Sequence, residues 1–404
     1  MNSNNSPYKV SPGPFHKTIR VPTSKSYANR LLILAALSEG ETLVEDVPDS
    51  TDVLWMLKAL ERVGLQIKRQ KHDVVISGCF PTCETSGDEI IEIETGDGGT
   101  TNRFLAPFLA KGKRTYRLLP SGPMQTRPMN DLVLALRDLG VRVRSDDQVW
   151  LEVQGPLRPK TSISCPSGTS TQFASGLLLA LADTGVDVVA ENLKASEAYW
   201  LLTKKLVQDF RAGCVNFRVP VDMSSLSYPL ALALVSGEVT VSNCSGNDIY
   251  QADGAFLEII KKMGGQVVFE AGQLKVLKAE TLAPIDLDCS GHPDLVPTLC
   301  YVCAYADGTS VLRNLEVLRH KESDRIEECL KLLALFGVEA RVLEGDHLQI
   351  VGPMAKASAV DYLPPKDHRL VMTSYLFMRT NSGGVLFDSH HADKSYPSFF
   401  KDLS

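Results

Sequence analysis

The stretch "LRHKESDR", Leu318 to Arg325, crowds His320, Lys321, Glu322, Asp324 and Arg325 into the start of an amphipathic run that ends at Gly337. A helix start carries a positive partial charge, so two cations placed there are unfavourable by themselves. Either they are solvated in a charged surface turn, or an anion comes to meet them. At helical spacing Lys321 and Arg325 are i and i+4 and share a face, and Glu322 can pair with Arg325.

Comparable loops recur along the chain, each ahead of a strongly apolar run. "VPTSKSYANR" carries Lys25, Ser26 and Arg30, and "ETGDGGTTNR" carries Gly99 among its glycines. "CPSGTSTQF" carries Ser170, Thr171 and Gln172, "VPVDMSSLSY" Asp222, "CSGHPD" Asp294, and "PPKDHR" His368 and Arg369. Arg127 in "MQTRPMND" and Lys394 in "HADKSYP" add cations in otherwise neutral surroundings. Backbone N–H groups at a helix start bind anions, glycine lets a phosphate approach closely, and a nearby cation strengthens the site. The alternative for the glycine loop is a tight strand-to-helix turn. For Lys25 and Arg30 it is solvated surface charge, which is awkward for Arg30 because it abuts "LLILAAL".

Two kinds of helical segment position these loops. Six are apolar on all sides, such as "NRLLILAALSEG", "SYPLALALVSG" and "HRLVMTSYLFMR", and belong in a core. The others are amphipathic, with Asp52, Asp131, Asp253 or Asp324 near the start, where a carboxylate suits the dipole. They end at Gly64, Gly140, Gly213, Gly264 and Gly337, as C-caps would, and strand-like alternation follows. The chain therefore reads as six copies of one unit of roughly 55–75 residues: strand, buried helix, strand, surface helix, two strands. The expected fold class is α/β, in two similar domains of three units each. Residues 1–20 plus 222–404 form the domain holding both termini, and 21–221 an inserted domain of the same fold. The sixth copy is cut short at "KSYPSFFKDLS", and the N-terminal "HKTIRV" is expected to complete it.

Composition bounds the rest. With 404 residues, 44% hydrophobic and 22% charged, the chain is globular and long enough for two cores. A net charge of −6 gives no reason to expect nucleic acid or an anionic membrane as partner. "MNSNNSPYKV" lacks the regions of a secretion signal, and no apolar run reaches about 18 residues, so a cytoplasmic protein is expected. Cys300 and Cys303 form a CxxC in an apolar helical stretch with no second pair to complete a zinc site. Buried thiols in a reducing compartment are expected. Adjacent His390 and His391 read as a loop pair.

Taken in order, "PTSKSYANR", "GDGGTTNR", "RPMNDL", "STQF", "PD", "HKESDR", "DHR" and "KSYP" resemble the 5-enolpyruvylshikimate-3-phosphate synthases, enolpyruvyl transferases of the shikimate pathway. The likeness spans nearly the whole chain. It implies two domains, each of three βαβαββ units (an inverse α/β barrel, or prism), with the active site in the interdomain cleft. It implies transfer of the enolpyruvyl group of phosphoenolpyruvate to the 5-hydroxyl of shikimate 3-phosphate, by addition and then elimination of phosphate. No metal or organic cofactor is expected, the partners are those two small molecules, and a monomer is expected.

The resemblance assigns Lys25, Gly99, Arg127, Gln172, Arg325, Arg369 and Lys394 to phosphoenolpyruvate. It assigns Lys25, Ser26, Arg30, Ser170, Thr171, Gln172, Ser196, Tyr199, Asp294 and Lys321 to shikimate 3-phosphate. Asp294 would be the base at the 5-hydroxyl, Glu322 would exchange the proton at C3, and Lys25 would assist phosphate departure. Two phosphates and a carboxylate in one site require converging cations, with acid and base groups among them. Adjacent cations are expected to keep Glu322 easily ionised.

Some positions depart from the commonest family pattern. Asp97 replaces a usual Asn and is expected to cap the next helix. Phe104 replaces a Pro found in some relatives and is expected to reshape the phosphoenolpyruvate pocket. Val317 replaces an Asn that contacts the ring in some relatives, which leaves a different shikimate-like acceptor as the alternative. A relative acting on UDP-N-acetylglucosamine usually has a Lys-Asn pair in the first loop, where this chain has "SKSYANR". An inactive ligand-binding relative would be expected to lose Asp294 or Glu322.

Overall fold

The computed structural model describes residues 7–146, 150–158, 160–193, 197–214 and 216–404. Ser196 lies outside the described residues. The helices are α1 (Lys25–Leu37), α2 (Thr51–Arg62), α3 (Gly99–Leu109), α4 (Asn130–Asp138), α5 (Gln172–Ala180) and α6 (Glu197–Arg211), then α7 (Met223–Ser236), α8 (Ala255–Lys262), α9 (Val296–Ala304), α10 (Arg325–Leu335), α11 (His368–Thr380) and α12 (Phe399–Leu403). Odd-numbered helices are buried almost throughout. Even-numbered ones bury one side, apart from the short α12. The five glycines that follow surface helices all take positive φ, as a C-cap requires.

The chain divides into two compact units: Thr23–Pro220, and Met1–Pro22 with Val221–Ser404. In the first, strands 216–218, 41–45, 73–77 and 66–70 form one sheet in that order, and 91–96, 115–120, 150–154 and 142–146 a second. In the second unit the corresponding sheets are 15–19, 237–241, 273–277 and 266–270, and 286–288, 309–313, 347–351 and 339–343. Each sheet has one parallel pair followed by two antiparallel pairs. Two of the parallel pairs, 91–96 with 115–120 and 286–288 with 309–313, are joined by crossovers that contain the buried helices α3 and α9.

Two expectations about the repeats are corrected. Among the described residues the third and sixth copies have reduced sheets: 162–166 pairs with 187–191, and 8–10 with 384–386. The strand Phe15–Ile19 does not complete the sixth copy; it lies parallel to 237–241 in the fourth, and Tyr8–Val10 serves the sixth. Pairing partners more than 200 residues away leave no local trace in a sequence.

The chain end is pinned by aromatic packing. Phe399 meets Tyr228, Tyr375 and Tyr396 edge-on, and Phe400 packs on Tyr8. This anchors the 3-10 turn Ser389–Lys394, which contains the His390–His391 pair and holds Lys394 buried. Cys300 and Cys303 are buried in α9, and all nine cysteines are unpaired. Among the described residues no helix is long and apolar enough to cross a membrane, and no group of His, Cys, Asp or Glu is arranged to hold a metal ion.

Candidate active site

In the unit Thr23–Pro220, site residues gather at helix starts. Lys25 is the first residue of α1, and its Nζ lies 2.9 Å from Asp52 Oδ2 on α2. Asp52 is 2% exposed, so the pair is shielded and the solvated reading of Lys25 does not hold. Arg30, one turn further along α1, is 1% exposed. Its Nε donates to Thr203 Oγ1 (2.8 Å), Nη1 to the Ser26 carbonyl (2.7 Å) and Nη2 to the Tyr199 carbonyl (3.2 Å). Its guanidinium also faces the rings of Phe104 (5.0 Å) and Tyr199 (5.7 Å). Burial pushes the guanidinium down to about 10, which leaves it charged at neutral pH. These three hydrogen-bond partners are neutral, an arrangement suited to a ligand anion.

Gly99 opens α3 where any side chain would displace the ends of two neighbouring side chains. A Cβ there would stand 2.8 Å from Arg127 Nη1 and 2.9 Å from Gln172 Oε1. Gln172 is the first residue of α5, Thr171 is its buried N-cap, and Ser170 Oγ accepts from the Gln172 N–H at 3.3 Å. The close quarters at Gly99 are set by the Arg127 and Gln172 side chains. The N-cap of α3 is Gly98, so Asp97 stands one residue ahead of the cap, contrary to expectation. The Phe104 ring lies under the Arg30 guanidinium, so whatever it does at the site acts beside that cation.

The other unit gathers the remaining candidates into one network. Asp294 Oδ1 meets Arg325 Nη1 (2.7 Å) and Lys321 Nζ (3.3 Å), and Oδ2 meets Arg369 Nη2 (3.0 Å). Arg325 Nη2 donates to Glu322 Oε2 (2.8 Å), whose Oε1 lies 3.5 Å from Lys394 Nζ. Arg325 Nε donates to Asp367 Oδ2 (2.8 Å), and Asp367 caps α11 by accepting the Arg369 N–H (3.0 Å). Burial opposes ionisation of Asp294, but Arg369, Lys321 and Arg325 outweigh it and hold the carboxyl well below the usual range.

The helix geometry assumed for "HKESDR" is corrected. Asp324 is the N-cap and accepts from the Ile326 and Glu327 N–H groups, so α10 begins at Arg325. Lys321 and Glu322 lie in the preceding turn and share no helix face with Arg325. They meet it through Asp294 and directly. The solvated side of this stretch is Arg319, paired with Asp324 and Asp346, and the exposed His320.

Four further residues belong to these clusters. Asp52 and Asp367 hold Lys25 and Arg325, Arg103 on α3 holds Ser170 and Gln172, and buried Asp253 accepts from Ser224 Oγ. Burial, followed by the nearby Asp294 charge, pushes Asp253 up to about 6. Asp52 and Asp253 had a local explanation as helix-start acids. Their partners are 27 and 29 residues away, so spacing gave no sign of them.

The model of the family described as EPSP synthase (3-phosphoshikimate 1-carboxyvinyltransferase) matches residues 10–216 and 207–403. The chain belongs to the EPSP synthase family. A 3-phosphoshikimate 1-carboxyvinyltransferase of Thermococcus kodakarensis is 34% identical over 402 residues, covering 95% of this chain and 96% of that one. The chloroplastic enzyme of Brassica napus is 31% identical over 430 residues, covering 95% and 82%. Among solved structures, EPSP synthase from Acinetobacter baumannii superposes with a TM-score of 0.78 at 22% identity, covering 97% and 96%. The enolpyruvyl transferase NikO from Streptomyces tendae gives 0.74 at 14% identity, covering 98% and 95%. At such identities the superpositions speak for the fold, which is the two-domain α/β fold of EPSP synthases.

Proposed function

We propose that this protein, a member of the EPSP synthase family, transfers the enolpyruvyl group of phosphoenolpyruvate to the 5-hydroxyl of shikimate 3-phosphate and releases phosphate. The observation that carries the reading is the sharing of one buried guanidinium, Arg325, by two carboxylates, Asp294 and Glu322. The reaction needs one group to take the hydroxyl proton and another to exchange a proton at C3, both beside bound anions.

Lys25, Gly99, Arg127, Gln172, Arg325, Arg369 and Lys394 serve phosphoenolpyruvate. Lys25, Ser26, Arg30, Ser170, Thr171, Gln172, Ser196, Tyr199, Asp294 and Lys321 serve shikimate 3-phosphate. Bound substrate anions draw on Arg325 and Lys394 and let Glu322 take up a proton from solvent; the hydroxyl then attacks C2 of phosphoenolpyruvate while Asp294 accepts its proton and Glu322 delivers its own to C3. In the elimination a C3 proton returns to Glu322 and phosphate leaves, assisted by Lys25, carrying away the equivalent of the proton that Asp294 took and so resetting Asp294. Held low by three cations, Asp294 is a weak base in the free protein. Substrate anions that take a share of Arg369, Lys321 and Arg325 raise its basicity, most of all when both ligands are in place. Unpaired thiols throughout accord with a reducing, cytoplasmic location. A monomer and the absence of nucleic-acid or membrane partners remain part of the proposal.

The test is phosphate release from phosphoenolpyruvate with and without shikimate 3-phosphate. Release dependent on that acceptor is expected, and release only with another acceptor would overturn the reading. Gly99→Ala checks the close approach at α3. Its methyl must push Arg127 or Gln172, so the KM for phosphoenolpyruvate is expected to rise by about 10-fold or more. An unchanged KM in steady-state assays would remove Gly99 from the site.

A further inference from the structure

We infer that Arg103 is a positioning residue that makes Ser170 and Gln172 present hydrogen-bond donors to an anionic ligand. Arg103 sits on α3, is 2% exposed, and lies over the Phe173 ring with its guanidinium carbon 4.8 Å from the centroid. Its Nη1 donates to Gln172 Oε1 (2.9 Å) and Ser170 Oγ (3.2 Å), and its Nη2 to the Pro128 carbonyl (2.9 Å).

A guanidinium only donates, so each group it touches on this side must accept. Gln172 carries one acceptor and one donor end on its side-chain amide. With Oε1 turned to Arg103, the NH2 end is the one offered away from it. Ser170 Oγ receives Arg103 Nη1 and also the Gln172 N–H (3.3 Å), which occupies both lone pairs and leaves the hydroxyl proton to be given. Without Arg103 the amide can rotate and the hydroxyl can accept, and either change turns a lone pair toward the incoming anion. The Pro128 contact extends the same control to the loop that carries Arg127. One buried side chain thus sets the polarity of two groups and ties down the neighbour of a third.

The identity of the ligand rests on the proposed function, and the experiment separates the two. Shikimate 3-phosphate affinity is measured by titration calorimetry, without phosphoenolpyruvate, for the full chain and for Arg103→Met, Gln172→Ala and their double variant. Each single change is expected to weaken binding by about 10- to 100-fold, from loss of hydrogen bonds to a charged ligand. The double variant is expected to lose little more than the weaker-binding single, because Gln172 donates only when Arg103 orients it. Multiplying losses, or wild-type affinity in Arg103→Met, would overturn the inference, since a merely structural role predicts independence.

Should Arg103→Met fail to fold, Arg103→Lys takes its place in the same cycle. It keeps the charge but not the planar fork that reaches Ser170, Gln172 and Pro128 together, so binding is expected to fall, and its double variant with Gln172→Ala to lose little more than the weaker-binding single. Multiplying losses would overturn the inference. If the unaltered protein does not bind shikimate 3-phosphate, the proposed function fails. The same variants titrated with inorganic phosphate then decide the orienting role by the same pattern of losses.

Discussion

Glu322→Gln is expected to lower kcat by about 10³-fold while shikimate 3-phosphate still binds within about 3-fold of the unaltered protein. The substitution keeps the side chain's shape. An amide oxygen can go on accepting from Arg325 Nη2, now 2.8 Å from Glu322 Oε2, so the turn before α10 should hold. What is lost is the ability to carry a proton, together with one negative charge beside Lys394 Nζ. General acid–base groups contribute about 10²- to 10⁴-fold, and the proposed mechanism uses this carboxyl in both addition and elimination. Steady-state turnover and equilibrium binding, measured on one preparation, separate the two effects. Near-normal turnover would remove Glu322 from proton transfer and leave it an ion-pair partner of Arg325 and Lys394.

The second large effect is structural as well as functional. Arg325 is 1% exposed and serves three carboxylates, Asp294, Glu322 and Asp367, which hold its guanidinium firmly charged although burial opposes that charge. Arg325→Met removes the shared cation and leaves those carboxylates short of a partner. The expected cost is about 3–5 kcal/mol of stability, because an uncompensated buried charge is worse than a missing pair. Binding of phosphoenolpyruvate should weaken by about 100-fold or more.

The stability loss should depend on pH in a definite direction. In the unaltered protein Asp294 titrates below its unfolded value, so its contribution is present above the unfolded pKa and fades as pH falls through the folded one. Losing a cation raises the folded pKa and removes much of that contribution. The deficit should therefore be full near neutral pH and shrink as pH falls toward and below the ordinary carboxylate range. Urea unfolding of both proteins across that range tests it. A deficit independent of pH would mean that Arg325 stabilises by packing alone.

Much of the architecture was legible because it is periodic. Apolar-all-round segments such as "SYPLALALVSG" have nowhere to go but a core, and Gly64 or Gly264 after an amphipathic run can only close a helix at positive φ. These are local properties, carried by residues within one or two turns of each other. The loops bearing Lys25, Gly99, Gln172, Asp294 and Arg369 were visible for the same reason: each is a polar interruption at the start of a buried helix.

What only the tertiary structure decided is which groups meet. Arg325 was noted for its neighbours in sequence, yet two of its three carboxylates, Asp294 and Asp367, come from loops 31 and 42 residues away. Asp52 looked like a helix-start acid until α1 and α2 packed and set it against Lys25. Phe104 carries no sign in its neighbours that its ring lies under Arg30 of another helix. The strand Phe15–Ile19 found its partner at 237–241. Sequence spacing reports contacts along one element, where backbone geometry sets the distance. Ion pairs and parallel strands form across elements, where packing of the whole core sets it, and no short stretch of residues carries that information.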